Sequence, residues 1–194
     1  MAAPAIYSTL NQEGVDINAV FYLDVKSAPE YPAPPFIPGT WAFGTDGSAW
    51  VYVTSSVSLG IGAVCVVSEI PGSWSVALIG GATIAATAAP VGDLVGVVSG
   101  SQGSLVVGAP SGTQTGSFFW LQRAGNCQAL NTAASTTKDA QLFSSATVAG
   151  RVSSTGGGVG STYTINGMVV SQATGSVAGP NTGVLNWPTV GSSF

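Results

Sequence analysis

Hydrophobic and polar residues alternate with a period of two along much of the chain, which is typical of strands that bury one face. The clearest example runs over 39–53. Trp41 and Phe43 alternate with small residues, 44–48 contains an Asp-Gly pair, and an aromatic run returns over 50–53. Asp-Gly between apolar runs favours a tight turn, because glycine reaches positive φ at little cost and Asp bonds its own backbone. This stretch therefore predicts a β-hairpin.

Apolar and often β-branched runs predict further strands along the rest of the chain. They cover 19–25, 59–68, 74–79, 94–98, 104–107, 117–122, 127–130, 163–170 and 184–188. We expect 123–126 to turn a second hairpin, the Asn-Gly pair at 166–167 to form another tight turn, and Pro188 to end the last strand. Helix is expected only as a short turn at 83–89. Because turn signals recur about every ten residues, the sequence predicts an all-β fold, a β-sandwich or barrel-like domain of short antiparallel strands over 39–194.

Residues 1–38 form a different kind of segment, which we predict to be an extended N-terminal arm. Its prolines crowd into one short stretch, at Pro29, Pro32, Pro34, Pro35 and Pro38. They exclude helix and central strand, so an extended, polyproline-like conformation is expected. Tyr31, Phe36 and Ile37 are its apolar anchors. Three roles fit such an arm: a linker or a strap over the protein's own core, an arm that docks on a neighbouring subunit, or a ligand for a proline-recognition module.

Charge is scarce, since only 6% of the residues are charged, against about 25% in an average soluble domain. The chain has four Lys and Arg residues, no histidine and a net charge of −4. Because phosphate contacts dominate nucleic-acid affinity, so few cations exclude a nucleic-acid partner, and the net charge disfavours an anionic membrane surface. We expect neither a signal peptide nor a transmembrane helix. Few charges and many small residues instead favour a protein that packs against neighbours.

No pattern of side chains predicts catalysis, a cofactor or a metal. A nucleophile triad needs a base, and histidine is missing. Cys65 and Cys127 without histidine do not make a zinc site, and their strand-like surroundings favour buried free thiols over a disulfide. A pair of the eight acidic residues would be needed for glycoside hydrolysis, but nothing in the sequence brings two of them together. We therefore expect no enzyme.

The tryptophans leave two interpretations open. They are Trp41, Trp50, Trp74, Trp120 and Trp187. Exposed together they would make a sugar-binding platform, whereas core or subunit contacts are the favoured interpretation, because aromatic side chains dominate core and interface energetics.

The hairpin stretch also carries a motif: Gly-Thr, three residues, Gly, one residue, Asp-Gly-Ser, one residue, an aromatic residue and Val-Tyr-Val. Its positions are Gly39, Thr40, Gly44, Asp46, Gly47, Ser48, Trp50, Val51, Tyr52 and Val53. Further matching pieces follow in order at 59–67, 90–98, 116–125, 166–169 and 185–188. In these segments the chain resembles the capsid decoration, or cement, proteins of tailed bacteriophages. The proline-rich arm and the Gly/Ser-rich stretches at 99–116 and 153–162 depart from the family pattern.

The resemblance implies a structural virion protein on the outer surface of the phage capsid, made in the host cytoplasm. Such proteins bind the major capsid protein, often as homotrimers, and cement neighbouring subunits so that the expanded head is stabilised. Candidate capsid or subunit contacts are the apolar residues outside the predicted core: Tyr31, Phe36, Ile37 and Phe194. A phage tail or fibre protein and a carbohydrate-binding β module are the alternatives.

Overall fold

A computed structural model describes residues 17, 21–24, 35–57, 59–70, 73–80, 92–98, 114–131, 136–155, 163–171 and 179–193. These residues form eleven strands and no helix, so the all-β prediction is confirmed. The strands are β1 (Phe21–Asp24), β2 (Trp41–Phe43), β3 (Ala49–Ser55), β4 (Val64–Ile70), β5 (Ser73–Leu78), β6 (Leu94–Val97), β7 (Gln114–Asn131), β8 (Leu142–Ser144), β9 (Val152–Ser153), β10 (Tyr163–Val170) and β11 (Gly179–Ser193). Over the same ranges, none of the structure is a helix of the length and hydropathy needed to cross a membrane.

The predicted hairpin over 39–53 is present as β2 and β3. Trp41 lies opposite Val51, and Phe43 lies opposite Ala49. The turn between them is closed by a hydrogen bond from the Gly44 amide to the Ser48 carbonyl, 2.8 Å. Asp46 accepts from the Ser48 amide at 3.0 Å, and Gly47 adopts a φ of +81°, as expected of an Asp-Gly turn.

All eleven strands belong to one mixed sheet, whose pairings close into two large rings, and a single β6–β7 pair, Val97 with Gln122, bridges the first of them. The first ring runs through β3, β5, β4, β6, β11 and β7. The second ring runs through β7, β9, β8, β10 and β11. Both rings contain the pair β7–β11. Most pairings are antiparallel, as predicted, while β3–β5 and β7–β9 are parallel.

The prediction of a second hairpin at 117–130 is wrong, because β7 continues through the expected turn. Gly125 has a φ of +92°, but the chain changes partner there instead of reversing. Residues up to Ala124 pair with β3, and residues from Ala124 onward pair with β11. The buried Gln122 side chain donates to the carbonyls of Ala124 (3.0 Å) and Asn126 (2.8 Å). The pairing with β3 and β11 and the hydrogen bonds of Gln122 therefore keep Gly125 within one continuous strand.

Two further turn predictions are also wrong, for one shared reason. The Asn-Gly pair at 166–167 lies inside β10, and Pro188 lies inside β11. Asn166 pairs with Thr189 and Met168 pairs with Leu185, so 186–188 of β11 bulge opposite a single residue, Gly167. A bulge accepts both a positive φ and a proline without ending the strand.

Three clusters of buried side chains fill the spaces between the strands. One lies between β3, β4 and the first half of β7, and includes Val51, Val53, Cys65, Val67, Phe119 and Leu121. A second lies on the opposite face of β4, and includes Val64, Cys127, Leu142, Ile165, Met168 and Leu185. The third covers the outer face of β3, and consists of Ile17, Ala42, Trp50, Tyr52 and Trp120. Because 49–53 of β3 and 64–67 of β4 lie between clusters on both faces, these segments are continuous apolar runs.

Part of the predicted arm is built into this sheet. β1, which matches the strand expected at 19–25, pairs with the start of β7, and Ile17 is buried in the third cluster. The boundary at residue 38 stays a prediction. The strand expected at 59–68 begins only at Val64. The strand predicted at 104–107 and the helical turn predicted at 83–89 lie outside the described residues.

Candidate functional site

Four aromatic side chains from three parts of the fold meet at the protein surface. This aromatic patch consists of Trp41 and Phe43 on β2, Trp74 on β5 and Trp187 on β11. The ring centroids lie 5.5 Å apart for Trp41–Trp187, 6.2 Å for Trp41–Trp74 and 6.4 Å for Trp41–Phe43. Phe43 is 56% exposed and Trp187 is 45% exposed. Trp41 and Trp74 are half-buried and pack on the cluster between β3, β4 and β7, so the exposed part of the patch is Phe43 and Trp187. Large exposed aromatic rings are typical of an interaction surface.

The hairpin sets one side of the patch. Ala42 pairs with Trp50 and belongs to the cluster on the outer face of β3, so its neighbours Trp41 and Phe43 point to the other face. Gly39 precedes them with a φ of +94°, and a Cβ there would lie 2.8 Å from Trp74 Cε2. Glycine is therefore required where the chain passes the Trp74 ring.

The bulge in β11 sets the other side of the patch. Trp187 has a φ of +52°, in the left-handed region that a bulky side chain rarely adopts. Gly167 lies beneath it, also left-handed at +77°, and a Cβ at Gly167 would overlap the Asn186 carbonyl oxygen. Backbone strain of this kind persists only where the surrounding structure enforces it, and it is concentrated at functional sites.

A buried arginine holds this bulge. Arg123 is 2% exposed, and its Nη1 donates to the carbonyl oxygens of Pro188, at 2.6 Å, and of Val95. Its Nε has no hydrogen-bond partner among the described residues. Burial lowers the pKa of Arg123 to about 10, and the Glu69 carboxylate opposes that shift. The guanidinium thus ties the residue after Trp187 to β6.

Carboxylates lie in the segments that border the patch. Glu69 is the register partner of Trp74, and Asp46 lies in the turn that follows Phe43. The segments 39–53, 67–79 and 184–193 contain no lysine or arginine. The segments that build the patch are therefore apolar with an acidic border, and the buried Arg123 bonds the Pro188 carbonyl behind it.

A second aromatic group lies on the opposite face of the hairpin and is hidden. This buried aromatic cluster consists of Trp50, Tyr52 and Trp120, with Phe36 packed on it at centroid distances of 5.5 Å to Tyr52 and 5.1 Å to Trp120. Trp50 Nε1, Tyr52 Oη and Trp120 Nε1 have no hydrogen-bond partner among the described residues. Burial raises the pKa of Tyr52 well above its ordinary value.

The residues predicted as contacts from the sequence fall in different places. Phe36 is half-buried against the protein's own core, whereas Ile37 is 75% exposed. Tyr31 and Phe194 lie outside the described residues. That any of these four touches a capsid subunit stays a prediction.

The hairpin motif residues have local structural roles. Thr40 Oγ1 donates to the Ile37 carbonyl at 2.7 Å, and Ser48 and Trp50 are buried. Gly39 and the turn residues Gly44, Asp46 and Gly47 shape the chain around the hairpin, as described above. Sequence reasoning missed that Phe43 and Trp187 share one surface and that the buried Arg123 supports it. The sequence signals available were the Trp-Pro pair at 187–188 and an arginine next to the apolar run at 117–122.

The described residues hold no group of three or more side chains suited to a metal. Cys65 and Cys127 are buried and free, as predicted, and burial raises the pKa of each thiol to about 12. No protein-family model matches the chain, and no curated protein matches it significantly. Among the described residues, the arrangement most suited to a function is the aromatic patch with its two exposed rings.

Proposed function

We propose that this chain is a structural virion protein that binds the outer surface of a tailed-phage capsid and cements neighbouring major-capsid subunits. The observation that carries the proposal is the aromatic patch. Phe43 and Trp187 are about half exposed, and Trp187 is held in a strained left-handed conformation. Tryptophan and other aromatic residues are enriched at the centres of protein interfaces, where a few such side chains supply most of the binding energy.

The composition supports the same proposal. A freely diffusing protein is kept soluble by surface charge, and this chain has 6% charged residues. Contacts made by apolar and backbone groups need few charges. Binding that is selective for the expanded shell would stabilise that shell by mass action.

The family resemblance supports the proposal independently of the patch. Its strongest motif is the hairpin at 39–53, and the same hairpin presents Trp41 and Phe43. Ile37, 75% exposed just before the hairpin, adds apolar surface in the predicted contact segment. We propose the capsid as the partner of this end of the molecule, with a trimer of the chain as the bound form.

The first test is the copy number of the chain in purified virus particles, measured by quantitative mass spectrometry against the major capsid protein. The proposal expects a number comparable to that of the shell subunit. A small fraction of it would indicate a tail or fibre protein. Absence from the particle would overturn the proposal.

A second test concerns the surface. The double variant Phe43→Ser with Trp187→Ser should lose binding to purified expanded capsids in a co-sedimentation assay. Val148→Ser is the matched control, because Val148 is also an exposed apolar residue, at 43%, but lies outside the patch. Equal binding by the double variant and the control would show that the patch is not the contact surface.

A further inference from the structure

The aromatic rings of the patch do not share a plane. Relative to Trp41, the ring of Phe43 is inclined by 18°, that of Trp187 by 48° and that of Trp74 by 87°. A flat strip of sugar rings stacks best on coplanar aromatic faces. Rings inclined at several angles instead suit a compact ligand group. An organic cation is such a group, because the quadrupole of each aromatic ring attracts it to the ring's face.

The three segments that build the patch carry charge of one sign. Glu69 stands beside Trp74, and Asp46 lies in the turn after Phe43. No lysine or arginine occurs in the three segments that build the patch. Arg123 reaches the bulge from inside, but it is 2% exposed and its guanidinium bonds to two carbonyls. These three segments therefore offer aromatic rings and carboxylates to the surface and contribute no cation.

We propose that the aromatic patch receives an arginine side chain of the partner protein, stacked on the half-exposed indole of Trp187 and bordered by Glu69 and Asp46. This inference rests on the proposed function, because it names the chemistry of the capsid contact. Arginine suits the site better than lysine, since its planar and weakly hydrated guanidinium stacks on indole while still bonding carboxylates.

A second copy of this chain is poorly suited to supply that cation. The chain has only four basic residues: Lys26, Arg123, Lys138 and Arg151. Arg123 is buried, Arg151 is half-buried, Lys138 lies 3.6 Å from the carboxylate of Asp139, and Lys26 lies outside the described residues. The acidic border and the scarcity of cations together point to a different protein.

The test uses the purified full-length protein and fluorescently labelled peptides. Hexa-arginine is compared with hexa-citrulline, which has the same shape without the charge, and with the saccharide cellohexaose. We expect hexa-arginine to bind, with citrulline and cellohexaose at least about tenfold weaker, and binding to weaken as salt rises. Binding of cellohexaose without hexa-arginine would overturn the inference in favour of a saccharide site.

Because an acidic protein attracts any polycation, the deciding variant is Trp187→Leu. It leaves the charge and much of the apolar area unchanged but removes the π face. We expect it to lower hexa-arginine affinity by about tenfold, Trp187→Phe to lower it less, and Asp46→Asn and Glu69→Gln to lower it a few-fold each. The Val148→Ser protein should bind as the wild type does. Hexa-arginine affinity unchanged by Trp187→Leu would overturn the inference.

The same variant separates this inference from the proposed function. Normal capsid binding by the Trp187→Leu protein would overturn the arginine contact and leave the capsid as partner. Absence of the chain from purified virus particles would overturn the proposed function, and with it the partner named here.

Discussion

The buried aromatic cluster and the aromatic patch are made of the same residue types and lie on opposite faces of one hairpin. Trp50, Tyr52 and Trp120 are no more than 1% exposed, whereas Phe43 and Trp187 are about half exposed. The buried cluster lies where β3 pairs with β7, and Ile17 and Phe36 pack on it. The patch lies mainly on the three-residue edge strand β2 and on the bulge of β11. Aromatic content alone therefore does not tell whether a face is core or contact surface.

The two groups also differ in where their unfavourable features lie. In the buried cluster the unfavourable features are in the side chains, because three side-chain polar atoms are buried without a hydrogen-bond partner among the described residues. In the patch the backbone carries them, because Trp187 is held at a φ of +52° while its ring stays in contact with water. We expect the first group to determine stability and the second to determine binding.

The largest effect should come from Trp120→Ala in the buried cluster. Removing a fully buried indole from a packed core lowers the free energy of unfolding by about 3–5 kcal/mol. That is a large part of the roughly 5–15 kcal/mol that stabilises a typical domain. Urea unfolding followed by far-ultraviolet circular dichroism measures it.

The matched comparison is Trp187→Ala, which removes the same side chain from the patch. Since that ring is 45% exposed, we expect the free energy of unfolding to change by no more than about 1 kcal/mol. Equal losses in the two variants would show that the patch is a part of the core, and the division between the groups would fail.

Much of this division could be predicted from the sequence. The alternation around Trp41, Phe43, Trp50 and Tyr52 places two residues on each face of the predicted hairpin, and the structure has that register. Which face is buried could not be predicted. It depends on β7 and on Ile17 and Phe36, which come from distant parts of the chain.

The second half of the patch could not be predicted, because it depends on contacts between strands. Asn-Gly at 166–167 is a strong local turn signal, but β11 and β8 pair with both edges of β10 and keep it extended. Gly167 then accommodates a bulge instead of a turn. The position of Trp187 also depends on Arg123, which lies far away in sequence and bonds the Pro188 carbonyl.

The next largest effect should come from Gly167→Ala, which tests whether the bulge is enforced. Alanine there meets both an unfavourable φ of +77° and the Asn186 carbonyl. We expect a loss of about 2–4 kcal/mol in the free energy of unfolding, as the sum of left-handed strain and overpacking. Denaturant unfolding measures the loss, and the Trp187 indole signal in NMR spectra should move.

Two glycines serve as graded controls for that variant. Gly47→Ala shares the positive φ, +81°, but has open space around it, so about 1 kcal/mol is expected. Gly60→Ala has open space and no left-handed strain, so it should be neutral or slightly stabilising. Should all three variants lose the same amount, the close approach at Gly167 would have no energetic role.

The smallest effect concerns a single hydroxyl of the buried cluster. Tyr52 Oη is buried and has no partner among the described residues, so Tyr52→Phe removes a desolvated polar atom and keeps the ring. We expect the free energy of unfolding at pH 7 to stay the same or rise by up to about 1 kcal/mol. The control is Tyr163→Phe, whose ring is half-buried on β10.

The pH dependence sharpens this last prediction. Burial raises the pKa of Tyr52 in the folded protein above its ordinary value of about 10. As the pH rises, the unfolded chain therefore loses the phenol proton before the folded protein does. The stability that depends on this proton is complete below about pH 10, and it is lost as the pH rises through the folded pKa. Because Tyr52→Phe has no such proton, its advantage over the wild type should grow above pH 10. If the Tyr52→Phe protein is less stable than the wild type by more than about 1 kcal/mol at pH 7, the Tyr52 hydroxyl is hydrogen-bonded in the folded protein. The cost of burying polar atoms in the cluster would then rest on the two indole nitrogens alone.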